Sequence, residues 1–176
     1  DPNDPNEWLV KPIRSGGGQH VRPWNGDPLP RGCVLQRRIA GVPGSVVFAA
    51  AGGEAVALGV SRQLVGEGAF GSGGFRYCGS IIASAGDPQF PGGETLVERS
   101  CALAASAAAE FGLVGLNALD FVADDSVPYP IELNPRWSSS MELLEGLFGL
   151  SLFQVHAAAC DRSELPRFEL TAAMRA

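Results

Sequence analysis

The chain has 176 residues, 45% of them hydrophobic and 18% charged, which suits one domain with its own core and excludes a disordered tail. A net charge of −6 excludes a nucleic-acid binder held by phosphate contacts, because such binding needs a basic face, and no apolar run is long enough for a membrane span. Four widely spaced cysteines, Cys33, Cys78, Cys101 and Cys160, form no Cys-x-x-Cys; zinc and redox motifs are excluded, and free thiols in a reducing cytoplasm are expected.

Residues 1–7 are polar and Pro-rich and read as the end of a linker. Trp8-Leu9-Val10-Lys11-Pro12 is a short apolar strand with a lysine near its end. Ser15 is followed by Gly16, Gly17 and Gly18, whose freedom lets backbone N–H groups turn toward one point and bind an anion. The loop matches neither the Walker pattern nor Gly-x-Gly-x-x-Gly, and a plain flexible connection is the competing reading. His20 beside it reads as a surface loop residue, with a contact to phosphate as the alternative.

Cys33 to Ile39 is the next predicted strand, with Gln36, Arg37 and Arg38 inside it. A strand pair follows over Ser45 to Ala51 and Glu54 to Ser61, divided by Gly52-Gly53. Residues 62–93 are irregular and Gly-rich, with a short strand expected over Phe75 to Ile82; a loop of that length inside a compact domain points to function. Glu94 to Phe111 is an Ala-rich helix closed by Gly112.

The chemistry concentrates after that helix. Leu119-Asp120-Phe121 alternates, Asp124 to Pro128 suits a hairpin connection, and Ile131-Glu132-Leu133-Asn134-Pro135-Arg136 alternates again. In a strand Glu132, Asn134 and Arg136 point to one side and Ile131 and Leu133 to the other. Pairing the two strands brings Asp120 toward Glu132 and Asn134. Two carboxylates and an amide oxygen are hard ligands suited to magnesium, and Arg136 adds a fork-shaped cation for an anion. A solvated strand face with a paired arginine accounts for the same residues. Ser139-x-x-Glu142 reads as a capping box opening a helix to about Leu147, which assigns Glu142 to capping rather than to metal. Leu152 to Cys160 is a further helix; His156 on it carries no assigned chemistry. Two histidines cannot build a histidine metal site, and no Gly-x-Ser-x-Gly elbow supports a serine hydrolase.

The order of lysine strand, glycine loop, Gln-containing strand, hairpin, helix, Asp strand and Glu-x-Asn-Pro-Arg strand resembles the ATP-grasp superfamily. The stretches Lys-Pro-x-Arg-Ser-Gly-Gly-Gly, Leu-Gln-Arg-Arg-Ile-Ala-Gly and Glu-Leu-Asn-Pro-Arg-Trp carry the resemblance from Trp8 to about Gly149. They are similar to the branch of predicted ATP-dependent carboligases related to biotin carboxylase, which includes tyramine–glutamate-ligase-like proteins. The resemblance implies an α+β ATP-grasp fold of antiparallel sheets with packed helices, the nucleotide lying between two sheets. It implies that Lys11 and Gly16, Gly17 and Gly18 hold ATP phosphates. Gln36 then reads the adenine amino group, with backbone contacts from Arg37 and Ile39. Asp120, Glu132 and Asn134 become the ligands of Mg2+, with Mn2+ as an alternative, and Arg136 and Lys11 the catalytic cations on the transferred group. The implied activity is a carboxylate–amine ligase working through an acyl phosphate. Carboxylation through carboxyphosphate and a nucleotide-binding domain without turnover are the alternatives. Expected partners are small-molecule carboxylates and amines, with no nucleic acid and no membrane, and a homo-oligomer is allowed. Relative to the family, the first lysine-bearing half and a preceding domain have no counterpart here. The expected organisation is therefore a linker end over 1–7, the C-terminal part of an ATP-grasp domain over 8–160 and a tail over 161–176, with low activity for this piece alone.

Overall fold

A computed structural model describes residues 4, 7–88 and 92–175. Of the expected linker end, only Asp4 and Glu7 fall among the described residues; residues 89–91 of the irregular segment and Ala176 also lie outside them. The fold is α+β and divides into two units, Asp1–Ala40 with Leu64–Gly79, and Gly41–Gln63 with Ser80–Ala176.

The first unit holds a small antiparallel sheet of β1 (Trp8–Pro12), β2 (Arg22–Pro23) and β3 (Cys33–Arg37), in the order β2-β1-β3. Val10 at the centre of β1 is buried, with a strand on each flank. The strand expected to reach Ile39 stops at Arg37. The Arg38 N–H turns to the Glu7 carbonyl at 2.7 Å, and Ile39 lies beyond the ladder.

The larger sheet has the order β6-β5-β4-β7-β8, built from β4 (Val42–Ala51), β5 (Glu54–Val65), β6 (Tyr77–Ile81), β7 (Gly115–Asp124) and β8 (Val127–Asn134). The β4–β5 turn uses Gly52 and Gly53 at φ 59° and 83°, the pair of positive angles that a tight two-residue hairpin demands. β5 runs to Val65, so the irregular stretch predicted from residue 62 begins later than expected. It then contains a short 3-10 turn at Gly68–Phe70 and the strand β6.

β4 sits in the middle of this sheet and is buried along nearly its whole length, as a strand covered on both faces must be. Its alternation divides the core. Val46, Phe48 and Ala50 join Leu119, Phe121 and Ala123 of β7 beneath helix α1 (Gly93–Phe111), which supplies Leu96, Val97, Ala104, Ala107 and Ala108. Val47 and Ala49 join Leu116 and Ala118 on the other face, beneath Met141 and Leu144 of α2 (Ser140–Phe148) and Leu152 of α3 (Leu152–Arg162). Each large apolar side chain so buried contributes roughly 1.5–3 kcal/mol.

Small residues set the helix approach. The Ala-rich face of α1 lies close on the sheet, and Gly112 ends it in the left-handed conformation with its N–H on the Ala108 carbonyl, as the sequence predicts. α2 presses Leu144 onto Gly59 of β5, where any Cβ would meet Leu144 Cδ2 at 2.1 Å. The capping box expected at the start of α2 does not form: Ser139 has helical angles (φ −60°, ψ −30°) and makes no side-chain cap bond. Residues after α3 return to the core, with Leu170 of α4 (Leu170–Ala173) and Met174 buried in the cluster beneath α1. Arg175 grips Glu94 at 2.9 and 2.8 Å and holds that carboxyl below its usual range. Both side chains are exposed, so the contact fixes position more than it stabilises.

Candidate functional site

In the second unit, strand register decides which polar groups meet. β7 and β8 pair so that Asp120 stands directly opposite Glu132, and Ala118 opposite Asn134. Directly opposed residues share a face and stand about 4.5–5.5 Å apart at Cβ. Asn134, two residues from Glu132, joins them on that face. β4 extends the row, because Ser45 pairs with Asp120 on one side and with Ser61 of β5 on the other. The result is a line across four strands: Ser61, Ser45, Asp120, Glu132. It lies on the face that carries Val47 and Ala118, so the apolar layer under α2 and α3 gives way to a polar end.

Hydrogen bonds lock this end. Asn134 Nδ2 donates to Asp120 Oδ2 at 3.2 Å, and Gln63 Nε2 donates to Asp120 Oδ1 at 2.9 Å. Arg136 Nη2 donates to Asn134 Oδ1 at 3.0 Å, and its Nη1 donates to the Trp137 carbonyl at 3.1 Å. β8 ends at Asn134, so Arg136 does not continue the strand alternation as its spacing suggested. A tight turn, Arg136 N–H to Asn134 carbonyl at 2.9 Å, brings its guanidinium back instead.

The donor set fits magnesium. It offers two carboxylates and an amide oxygen, all hard ligands, with no thiol or imidazole among them. Among the described residues no group of three or more His, Cys, Asp or Glu is placed to hold a metal ion. A carboxylate oxygen accepts along two lone-pair directions, so a hydrogen bond from Asn134 or Gln63 does not by itself bar a metal from the same oxygen. Beside it the Ser45 and Ser61 hydroxyls are buried and make no hydrogen bond among the described residues. A buried unsatisfied hydroxyl costs about 1–3 kcal/mol, and such groups mark places where water or a ligand is held.

In the first unit, register places Leu9 opposite Gln36 and Lys11 opposite Val34. Lys11 and Gln36 therefore share one face of the small sheet, and both are half-buried. Arg37 is on the opposite face, with a weak pairing to Glu7 at 3.9 Å. The glycine loop is anchored in this unit. Gly17 and Gly18 take φ of 61° and 72°, and the Gly17 carbonyl accepts the Tyr77 N–H at 3.0 Å. A Cβ on Gly18 would fall 1.8 Å from the Phe75 carbonyl oxygen, so no other residue fits there. The N–H groups of Gln19 and Val21 turn back onto Gly16 and Gly18 carbonyls at 3.3 Å each, while Gly16 and Gly17 are exposed.

Sequence patterns alone do not mark Gln63, Ser45 and Ser61. Only the strand order, with β4 between β5 and β7, brings them to Asp120. His156 serves the fold: its Nδ1 accepts the Leu116 N–H at 3.1 Å, against Gly115, where a Cβ would meet that ring at 2.5 Å.

A family model described as an ATP-grasp domain matches residues 2–140. No curated protein matches the chain. Among solved structures, the biotin carboxylase domain dimer of Hydrogenobacter thermophilus 2-oxoglutarate carboxylase, in complex with MgADP, ADP and bicarbonate, superposes with a TM-score of 0.68 at 19% identity, over 93% of this chain and 38% of that one. Campylobacter jejuni biotin carboxylase in a β,γ-ATP complex gives 0.68 at 16% identity, over 91% and 38%. An ATP-grasp superfamily protein of Archaeoglobus fulgidus gives 0.62 at 22% identity, over 87% and 44%. At these identities the likeness establishes the fold, and this chain spans less than half the length of each.

Proposed function

This chain belongs to the ATP-grasp domain family, and from that premise we propose that it binds ATP with magnesium and serves an ATP-dependent ligase that activates a carboxylate. The observation that carries the reading is the cross-strand row: Asp120 opposite Glu132, with Asn134 on the same face and hydrogen-bonded to Asp120. Asp120, Glu132 and Asn134 would hold the metal. Bound there, magnesium supplies charge neutralisation on the phosphates.

The remaining steps belong to side chains. In the second unit Arg136, tethered to the Asn134 side-chain oxygen, offers its guanidinium to the transferred phosphoryl group, where negative charge accumulates. In the first unit Lys11 contributes a point charge for phosphate and the exposed Gly16–Gly17 backbone further N–H donors. Gln36, on the Lys11 face, reads adenine, with Arg37 and Ile39 giving backbone contacts. A substrate carboxylate oxygen attacks the γ-phosphorus, the bond to ADP breaks, and an acyl phosphate forms. An amine then attacks the acyl carbon, phosphate leaves with the bonding electrons, and the amine proton passes to solvent. The chemistry rests on positioning and electrostatics and needs no protein nucleophile.

A carboxylase using bicarbonate as the first nucleophile is the second reading; the bicarbonate held by the Hydrogenobacter structure favours it. Phosphate release with bicarbonate alone supports the carboxylase, and release that needs a carboxylate and an amine supports the ligase. For the nucleotide, calorimetry with ATP and GTP, in Mg2+ and in EDTA, is the test. ATP binding strengthened by Mg2+, and weaker GTP binding because the Gln36 pattern leaves guanine groups unpaired, is expected. No response to Mg2+ contradicts the metal assignment, and equal ATP and GTP affinities contradict that of Gln36.

A further inference from the structure

We propose that Gln63 is a positioning residue for the acidic site, fixing the Asp120 carboxylate in the rotation that a divalent cation needs. The inference rests on reading Asp120, Glu132 and Asn134 as the metal-holding set. Gln63 lies near the end of β5, two strands from Asp120 in the sheet order, and the intervening strand presents only the small Ser45 in that row. Its long side chain spans the gap and donates from Nε2 to Asp120 Oδ1 at 2.9 Å. Asn134 donates to the other oxygen at 3.2 Å. With a donor on each oxygen, the carboxylate plane cannot turn freely about its Cβ–Cγ bond.

The chemistry of the pair is specific. An ionised carboxylate only accepts, so the Gln63 amide must face it with NH2, and the amide oxygen faces away. A glutamine is also neutral. A lysine or arginine at this position would neutralise Asp120 and compete with the cation, while a glutamate would repel Asp120. A neutral donor holds the geometry without adding a charge of its own beside the carboxylate. Groups that orient metal ligands in this way typically change metal affinity by about 10–100-fold when removed.

The test uses Mn2+ binding followed by electron paramagnetic resonance, with a non-hydrolysable ATP analogue, on the wild type and on Gln63→Met, Gln63→Asn and Asp120→Asn. Gln63→Met keeps length without a donor; Gln63→Asn keeps the amide but is one methylene short. Both are expected to weaken Mn2+ binding about 10–100-fold, with analogue affinity in EDTA and the metal-free melting temperature unchanged. Mn2+ affinity within twofold of wild type in both variants, while Asp120→Asn loses it, overturns the Gln63 assignment and leaves the metal site standing. Equal losses of metal-free stability and Mn2+ affinity make Gln63 structural and also overturn it. If Asp120→Asn binds Mn2+ like the wild type, the metal reading itself fails and the Gln63 proposal with it.

Discussion

Asp120→Asn and Glu132→Gln each remove the effect of Mg2+ on ATP binding, while binding in EDTA changes little. Both substitutions preserve shape and remove a charge. Asp120 and Glu132 face each other across the β7–β8 ladder, so two negative groups are held close. A like-charged pair is a cost in the absence of a cation and a gain in its presence. Loss of a direct ligand should therefore exceed the about 10–100-fold that loss of an orienting partner produces. The same calorimetric titration in both buffers reads it. Retention of the full Mg2+ response in both variants would remove the basis for the site.

Phe121→Ala lowers stability by about 3–5 kcal/mol, a large part of the roughly 5–15 kcal/mol typical of a domain. Phe121 is 1% exposed and belongs to the cluster beneath α1. Its ring covers Gly44 on β4, where a Cβ would come 2.6 Å from both Phe121 Cε2 and Cζ. Gly44→Ala in the wild type forces the ring aside and costs about 1–3 kcal/mol. In the Phe121→Ala background the clash with the ring is gone and the close approach of the Ser61 carbonyl oxygen at 3.0 Å remains, so the same methyl costs less than in the wild type. Urea unfolding of the four proteins measures this coupling, and simple additivity of the two losses contradicts the packing described. The residue matters to the site as well. Phe121 and Asp120 are consecutive and face opposite ways, so anchoring the ring below the sheet holds the carboxylate above it. A one-residue slip would exchange them.

How far the sequence reveals this arrangement depends on whether a signal is local. Alternation through Glu132 and Asn134 is local, and so is the hairpin that returns β8 along β7; together they bring Asp120 toward Glu132 from the sequence alone, and the register sets the two directly opposite. The Ala-rich helix with its Gly112 end and the Gly52-Gly53 turn are legible for the same reason. Gln63 is not legible. It lies 57 residues from Asp120, and its meaning depends on β4 taking the place between β5 and β7. Ser45 and Ser61 are hidden likewise, since a serine in a strand looks solvent-facing until the sheet order buries it. Ser139 misleads in the opposite direction: its spacing to Glu142 fits a capping box, but the chain enters α2 already in helical conformation. Gly18 gains a reason that composition does not carry, the close approach of the Phe75 carbonyl.

Crystals grown with Mn2+ and a non-hydrolysable ATP analogue, measured at the manganese anomalous edge, show which side chains hold the cation. The expected peak lies within about 2.6 Å of carboxylate oxygens from both Asp120 and Glu132, with the Asn134 side-chain oxygen beside it and analogue phosphate completing the shell. A bound analogue whose manganese lies on other residues, with Asp120 and Glu132 making no contact to it, removes these side chains from the metal site.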